Sequence, residues 1–127
     1  MSQEENKRIV QAFYQMVLND RDVDTAFRLY AGNYYRQHNP LVEDGKEGVR
    51  KFVAWIGANR PNARGEIKRV FAEGEFVILH VHWTGLLGGK NGEAVVDIFR
   101  LEDGKIVEHW DVIQSIPDTA GNDNTMF

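Results

Sequence analysis

Three of the chain's four histidines, His80, His82 and His109, share a strand-forming region with Asp97 and Asp111. These residue types suit proton transfer near neutral pH. In Val77-Ile78-Leu79-His80-Val81-His82-Trp83, strand alternation puts Ile78, His80 and His82 on one face. Val77, Leu79, Val81 and Trp83 fall on the other. Asp97 sits between Val95 and Phe99 on one face of the next run, and His109, Asp111 and Ile113 align on the run after that. One polar-plus-apolar face recurring on three strands predicts the lining of a pocket.

A carboxylate in such a pocket has its charged form disfavoured, while a neighbouring imidazole pulls the other way. The outcome is a group able to take a proton from carbon next to a carbonyl. The developing oxyanion then needs donors, and Tyr34-Tyr35-Arg36-Gln37-His38-Asn39-Pro40 concentrates them. The assignment is Asp111 as base, tuned by His109 or Asp97, with His38 and Asn39 orienting the substrate. Tyr35, His80, His82, Phe99 and Trp55 complete the expected binding surface. The His80/His82 pair has suitable metal-ligand types, but strands produce such pairs by chance, so no metal is expected. No cofactor is expected either, because no phosphate-cradling glycine loop joins a strand to a helix.

The elements that must position these groups divide into helices first and strands second. Ser2 and Glu5 have capping-box spacing, followed by Val10, Phe13, Tyr14, Val17 and Leu18 at helical intervals. A short second helix follows Asp22. A third opens at Asp44 with Val49, Phe52, Val53 and Ile56 inward, and Pro61 ends it. Pro40 keeps Asn39 extended, so residues 34–40 form a short strand or extended segment. Strands are expected over Glu66 to Phe71, Phe76 to Leu86, Gly92 to Leu101 and Lys105 to Ile116, with Asp103-Gly104 a strong hairpin signal. Helices grouped before a meander mean α+β, in one domain spanning 1–127. Residues 117–127 read as a loose tail, with Met126 and Phe127 able to dock.

Charge and composition exclude other classes. The net charge is −4 with scattered Lys and Arg, which argues against nucleic acid. No apolar run is long enough to span a bilayer, and from the polar N-terminus no signal peptide is expected. With no cysteine there is no disulfide or thiolate chemistry. A cytoplasmic location is the expectation, with a small molecule as partner.

The Gln37-His38-Asn39-Pro40 segment, together with residues 96–111 ending in Glu108-His109-Trp110-Asp111, resembles the SnoaL-like polyketide cyclases. Those belong to the nuclear-transport-factor-2-like superfamily, which also includes limonene-epoxide hydrolase and ketosteroid isomerase. The resemblance implies three N-terminal helices packed in a strongly curved antiparallel sheet, an α+β cone or barrel with a deep pocket. It also implies an aspartate on the last strand, here Asp111, as the acid/base of an aldol closure. In the hydrolase an arginine and a second aspartate, two residues apart on a neighbouring strand, support that aspartate. His80 and His82 are expected at those places here.

Function then divides between a small cyclase or isomerase acting on a largely apolar carbonyl compound and a non-catalytic module that only binds one. A homodimer through the outer sheet face, using Val81, Trp83, Val96 and Ile98, fits the superfamily's habit.

Overall fold

Ser2 Oγ accepts the Glu5 N–H at 3.1 Å, and the computed structural model, which describes Met1–Phe127, starts helix α1 there (Gln3–Tyr14). Its inward residues are Ile9, Val10, Phe13 and Tyr14. The helix widens into a π turn over Gln15–Asn19. That turn aims Asn19 at the sheet, where its side chain bonds both the N–H and the carbonyl of Gly65. Asp22 caps α2 (Val23–Tyr30) by accepting from Thr25 N–H at 3.2 Å.

Strand β1 (Ala31–Gln37) follows α2 directly. Asp44 precedes α3 (Gly45–Asn59) but does not cap it with its side chain. Its Oδ1 accepts the backbone N–H of Gln37 at 2.8 Å, which ties the start of α3 to the end of β1. Strands β2 (Arg64–Glu73), β3 (Phe76–Thr84), β4 (Glu93–Glu102) and β5 (Lys105–Ser115) form the meander. The β4–β5 turn has Asp103 and Gly104 both at positive φ (48° and 75°), the primed hairpin geometry that this dipeptide favours.

The sheet order is β1-β5-β4-β3-β2. β1 runs parallel to β5, so the five-stranded sheet is mixed rather than antiparallel. No hairpin joins β1 to the meander, so no turn sets its direction. The sheet is open at β1 and β2 instead of closing as a barrel.

The faces differ from the sequence expectation in one respect. Leu79 pairs with Asp97 and Val81 with Val95, so the wholly apolar face of β3 shares the inside with Asp97. Val81 and Trp83 are therefore core residues, 0% and 2% exposed, and contribute nothing to the outer surface. His80 and His82 lie outside, opposite Val96 and Ala94. Phe127 returns to this side. Its ring sits 4.4 Å from that of His82 and 5.2 Å from that of His80, and its carbonyl accepts from Arg69 at 2.8 Å.

Gly65 faces the Trp83 ring so closely that a Cβ there would lie 2.7 Å from Cε2. Gly65→Ala is expected to lower stability by roughly 1–3 kcal/mol through overpacking, checked by denaturant titration of wild type and variant.

Candidate functional site

Three residues of two paired strands meet on the inner face: Asp97 opposite Asp111, with His109 one inward position before it. The bulge at Arg100/Leu101 sets this parity, because it shifts the register so that Phe99 pairs with His109. His109 Nε2 is 2.8 Å from Asp97 Oδ1 and 3.8 Å from Asp111 Oδ2. Asp97 and His109 are 3% and 7% exposed.

Two amides orient this cluster, and backbone groups fix the direction of each. Gln37 Oε1 accepts the Asn39 N–H at 3.1 Å, which identifies that atom as the oxygen because a backbone N–H can only donate. The same oxygen lies 2.7 Å from His109 Nδ1, so Nδ1 carries a proton. Asn39 Oδ1 likewise accepts the Leu41 N–H at 2.9 Å, which turns its Nδ2 toward Asp111 Oδ2 at 3.1 Å. The short Nε2–Oδ1 contact with Asp97 then requires a proton of its own. It is either an imidazolium beside a carboxylate or a neutral imidazole beside a carboxylic acid. Asp97 Oδ2 is buried without a hydrogen-bond partner.

Burial pushes the Asp111 carboxyl above its usual range, and the charge of Asp97 adds to this, while His109 and the Asn39 amide pull it back. Two tyrosines face the same space. Tyr14 Oη accepts the Trp83 indole N–H at 2.7 Å, leaving its own hydrogen free to donate inward. Tyr35 stacks on His109, with ring centroids 6.3 Å apart. Burial, followed by the nearby aspartates, raises both phenols well above 10, so they remain neutral donors. The pocket encloses about 60 Å³, and thirteen of its eighteen lining residues are hydrophobic.

The structure therefore brings together Asp97, His109, Asp111, Tyr35, Asn39 and Phe99 from the expected set. His38 is elsewhere. Alternation along Gln37-His38-Asn39 sends it to the outer face, where it bonds Glu108 at 2.7 Å and stacks 4.7 Å from Trp110. His80 and His82 lie outside under Phe127, as the β3–β4 register dictates. Trp55 is 41% exposed, with Arg60 over its ring; Phe52, stacked against it, lines the pocket instead.

Tyr14, Trp83 and Gln37 were not among the expected site residues. Alternation from Asn39 back to Gln37 could have found Gln37. Tyr14 carried no signal, because a tyrosine on an apolar helix stripe reads as core. On the strand beside β5, Val95 and Asp97 stand two residues apart facing inward. His80 and His82, expected as the inward pair two residues apart beside that strand, face outward instead. Asp97, His109 and Asp111 also form a group of metal-ligand types whose ligating atoms lie within 4.8 Å of one another. The proton required between His109 and Asp97 accounts for their close approach.

A carboxyl whose pKa is raised by folding stabilises the fold below its unfolded value and loses that contribution as pH rises through the folded value. At neutral pH, Asp111 therefore costs stability. Asp111→Asn is expected to melt higher than wild type at pH 7, and the difference should shrink as pH falls through the raised Asp111 value and vanish below about 4. Thermal melts of both proteins across this range check it.

Residues 10–109 match the model of the SnoaL-like domain. A search of curated proteins finds no match. Among solved structures, TsrD from Streptomyces laurentii superposes with TM-score 0.73 at 21% identity, over 89% of this chain and 90% of that one. A candidate polyketide cyclase from Bacillus cereus gives 0.74 at 23% identity, covering 89% and 78%. A candidate isomerase of the SnoaL-like family from Agrobacterium tumefaciens gives 0.71 at 15%, covering 88% and 99%. At these identities the superpositions speak for the fold. The family match spans most of the chain, which belongs to the SnoaL-like domain family.

Proposed function

We propose that this protein is an acid/base enzyme of the SnoaL type, acting on a small, largely apolar carbonyl compound. The observation that carries this reading is the placement of His109 between two carboxylates at an apolar pocket, with its tautomer fixed by Gln37. Family membership supports it, as do the cyclase and isomerase names borne by proteins of the same fold.

In this reading Asp111 takes the proton from the carbon next to the carbonyl. The C–H bond breaks, an O–H bond forms on Asp111, and the electron pair moves onto the carbonyl oxygen. Tyr14 and Tyr35 hydroxyls donate to that oxygen. As Asp111 becomes neutral, the negative charge on its side of the cluster disappears, and the proton shared by His109 and Asp97 adjusts without entry of water. The enolate then either attacks a second carbonyl, whose alkoxide recovers the proton from Asp111, or is reprotonated at a different carbon. The first course is an aldol closure and the second an isomerisation.

The exposed apolar residues of the outer face, Ile78, Val96 and Val112, are 37%, 40% and 70% exposed. They favour a homodimer through this surface, with Val96 and Ile98 but without the buried Val81 and Trp83. Val96→Glu is expected to shift the sedimentation coefficient from dimer to monomer. A wild type that sediments as a monomer at high concentration would refute the contact.

Deuterium exchange at the α-carbon of small ketones, followed by NMR, tests the chemistry. Asp111→Asn should slow exchange by about 10²–10⁴-fold, and Tyr14→Phe by about 10²-fold, with ligand binding retained. Exchange in wild type should rise with pH through the Asp111 titration, which lies above the ordinary carboxylate range. Equal exchange in wild type and Asp111→Asn, with ligand still bound, would favour a non-catalytic binding module.

A further inference from the structure

The pocket contains negative and neutral groups but no fixed cation. Its only charge-bearing residues are Asp97, His109 and Asp111, and no lysine or arginine reaches it. The nearest arginines along these strands are committed on the opposite face of the sheet. There Arg100 bonds Glu108 at 2.8 Å, and Arg36 lies 3.9 Å from the same carboxylate. With one proton shared between His109 and Asp97, the cluster carries a net negative charge whenever Asp111 is ionised, and no charge when it is not. The walls add aromatic rings, Phe13, Phe52, Trp83 and Phe99 among them, which supply no positive charge. An entering carboxylate or phosphate would lose its water and meet no compensating charge.

Size restricts the ligand further. The cavity encloses about 60 Å³. That is several times the roughly 10–15 Å³ that admits a single water, so there is room for a compact group rather than one solvent molecule. Such a group is one ring or a short branched chain, with any remainder of the molecule extending out of the mouth.

We infer that the site selects by charge as well as by shape: it takes a compact, uncharged carbonyl compound and excludes anionic molecules of the same skeleton. The carbonyl part rests on the acid/base reading above, whereas the charge selection rests only on the lining. It follows that a substrate carrying a free carboxylate or phosphate near its reacting end must lose or mask that group before it reaches this site. It follows too that an ammonium ion of matching skeleton binds, paired with Asp111 among aromatic walls.

Three probes sharing a six-membered ring separate these possibilities: cyclohexanone, cyclohexylamine and cyclohexanecarboxylate. Binding to wild type and Asp111→Asn is read at pH 7 from saturation transfer and from shifts of the His109 ring resonances. Cyclohexanone should bind, and cyclohexanecarboxylate should bind at least roughly tenfold more weakly. Cyclohexylamine should match or exceed the ketone in wild type and lose about tenfold in Asp111→Asn, while the ketone changes little. Cyclohexanecarboxylate binding within about threefold of the ketone would overturn the inference. So would binding of a polycyclic ketone while cyclohexanone fails to bind. If the ketone binds in the predicted order but its α-hydrogens do not exchange, the charge selection holds and the acid/base reading fails.

Discussion

A single oxygen atom, Gln37 Oε1, determines what the rest of this site can do. It accepts from the Asn39 backbone and from His109 Nδ1, and so passes a fixed orientation from the main chain to the imidazole ring. Were that amide free to turn over, His109 could place its proton on either nitrogen, and the contact between Nε2 and Asp97 would have no defined state. Much of the fold holds Gln37 in place. Asp44 forgoes capping α3 in order to bind its N–H, and the parallel pairing of β1 with β5 brings it opposite His109. The bulge between Arg100 and Leu101 then turns His109 and Asp111 to the same side as Asp97.

These features share a logic of cost and support. Two carboxylates facing one apolar cavity are unfavourable, and an orphaned oxygen on Asp97 adds to the burden. The arrangement persists because a well-packed sheet and helix pair impose it: Phe13, Tyr14, Trp83 and Phe99 pack edge-on around the cluster. Strain concentrated where the surroundings enforce it is common at functional sites. The opposite face of the sheet is organised differently. There each buried charge is paired, with Glu108 held by Arg100 and His38, and its carboxyl consequently lies below the usual range despite burial. The contrast between a satisfied outer cluster and an unsatisfied inner one marks the inner cluster as the candidate site.

Much of this was legible from residue order alone. The three helices, their Ser2 and Asp22 starts, the Asp103-Gly104 turn and the shared face of Asp97, His109 and Asp111 all follow from local rules. On β3 the structure reverses the inside and outside expected from sequence, for a definite reason. Alternation groups residues within a strand, but relating two strands needs their register, and the loop over residues 85–92 is too long to count across. The pairing of Leu79 with Asp97 settles it, and His80 and His82 move outside. Gln37-His38-Asn39 reads as one donor cluster, but neighbours in an extended segment point opposite ways, and His38 faces Glu108 and Trp110 instead. Tyr14 was illegible, because only the tertiary approach of Trp83 makes its hydroxyl part of the pocket.

The state of the His109 ring is the most direct measure of whether the cluster works as described. Nitrogen-15 NMR of the histidine side chains should show Nδ1 of His109 bearing a slowly exchanging proton. That proton should persist in Asp111→Asn and lose its protection in Gln37→Leu. A His109 whose Nδ1 is unprotonated, or whose ring protons exchange as freely as those of an exposed histidine, would contradict the orientation on which the proposed chemistry depends.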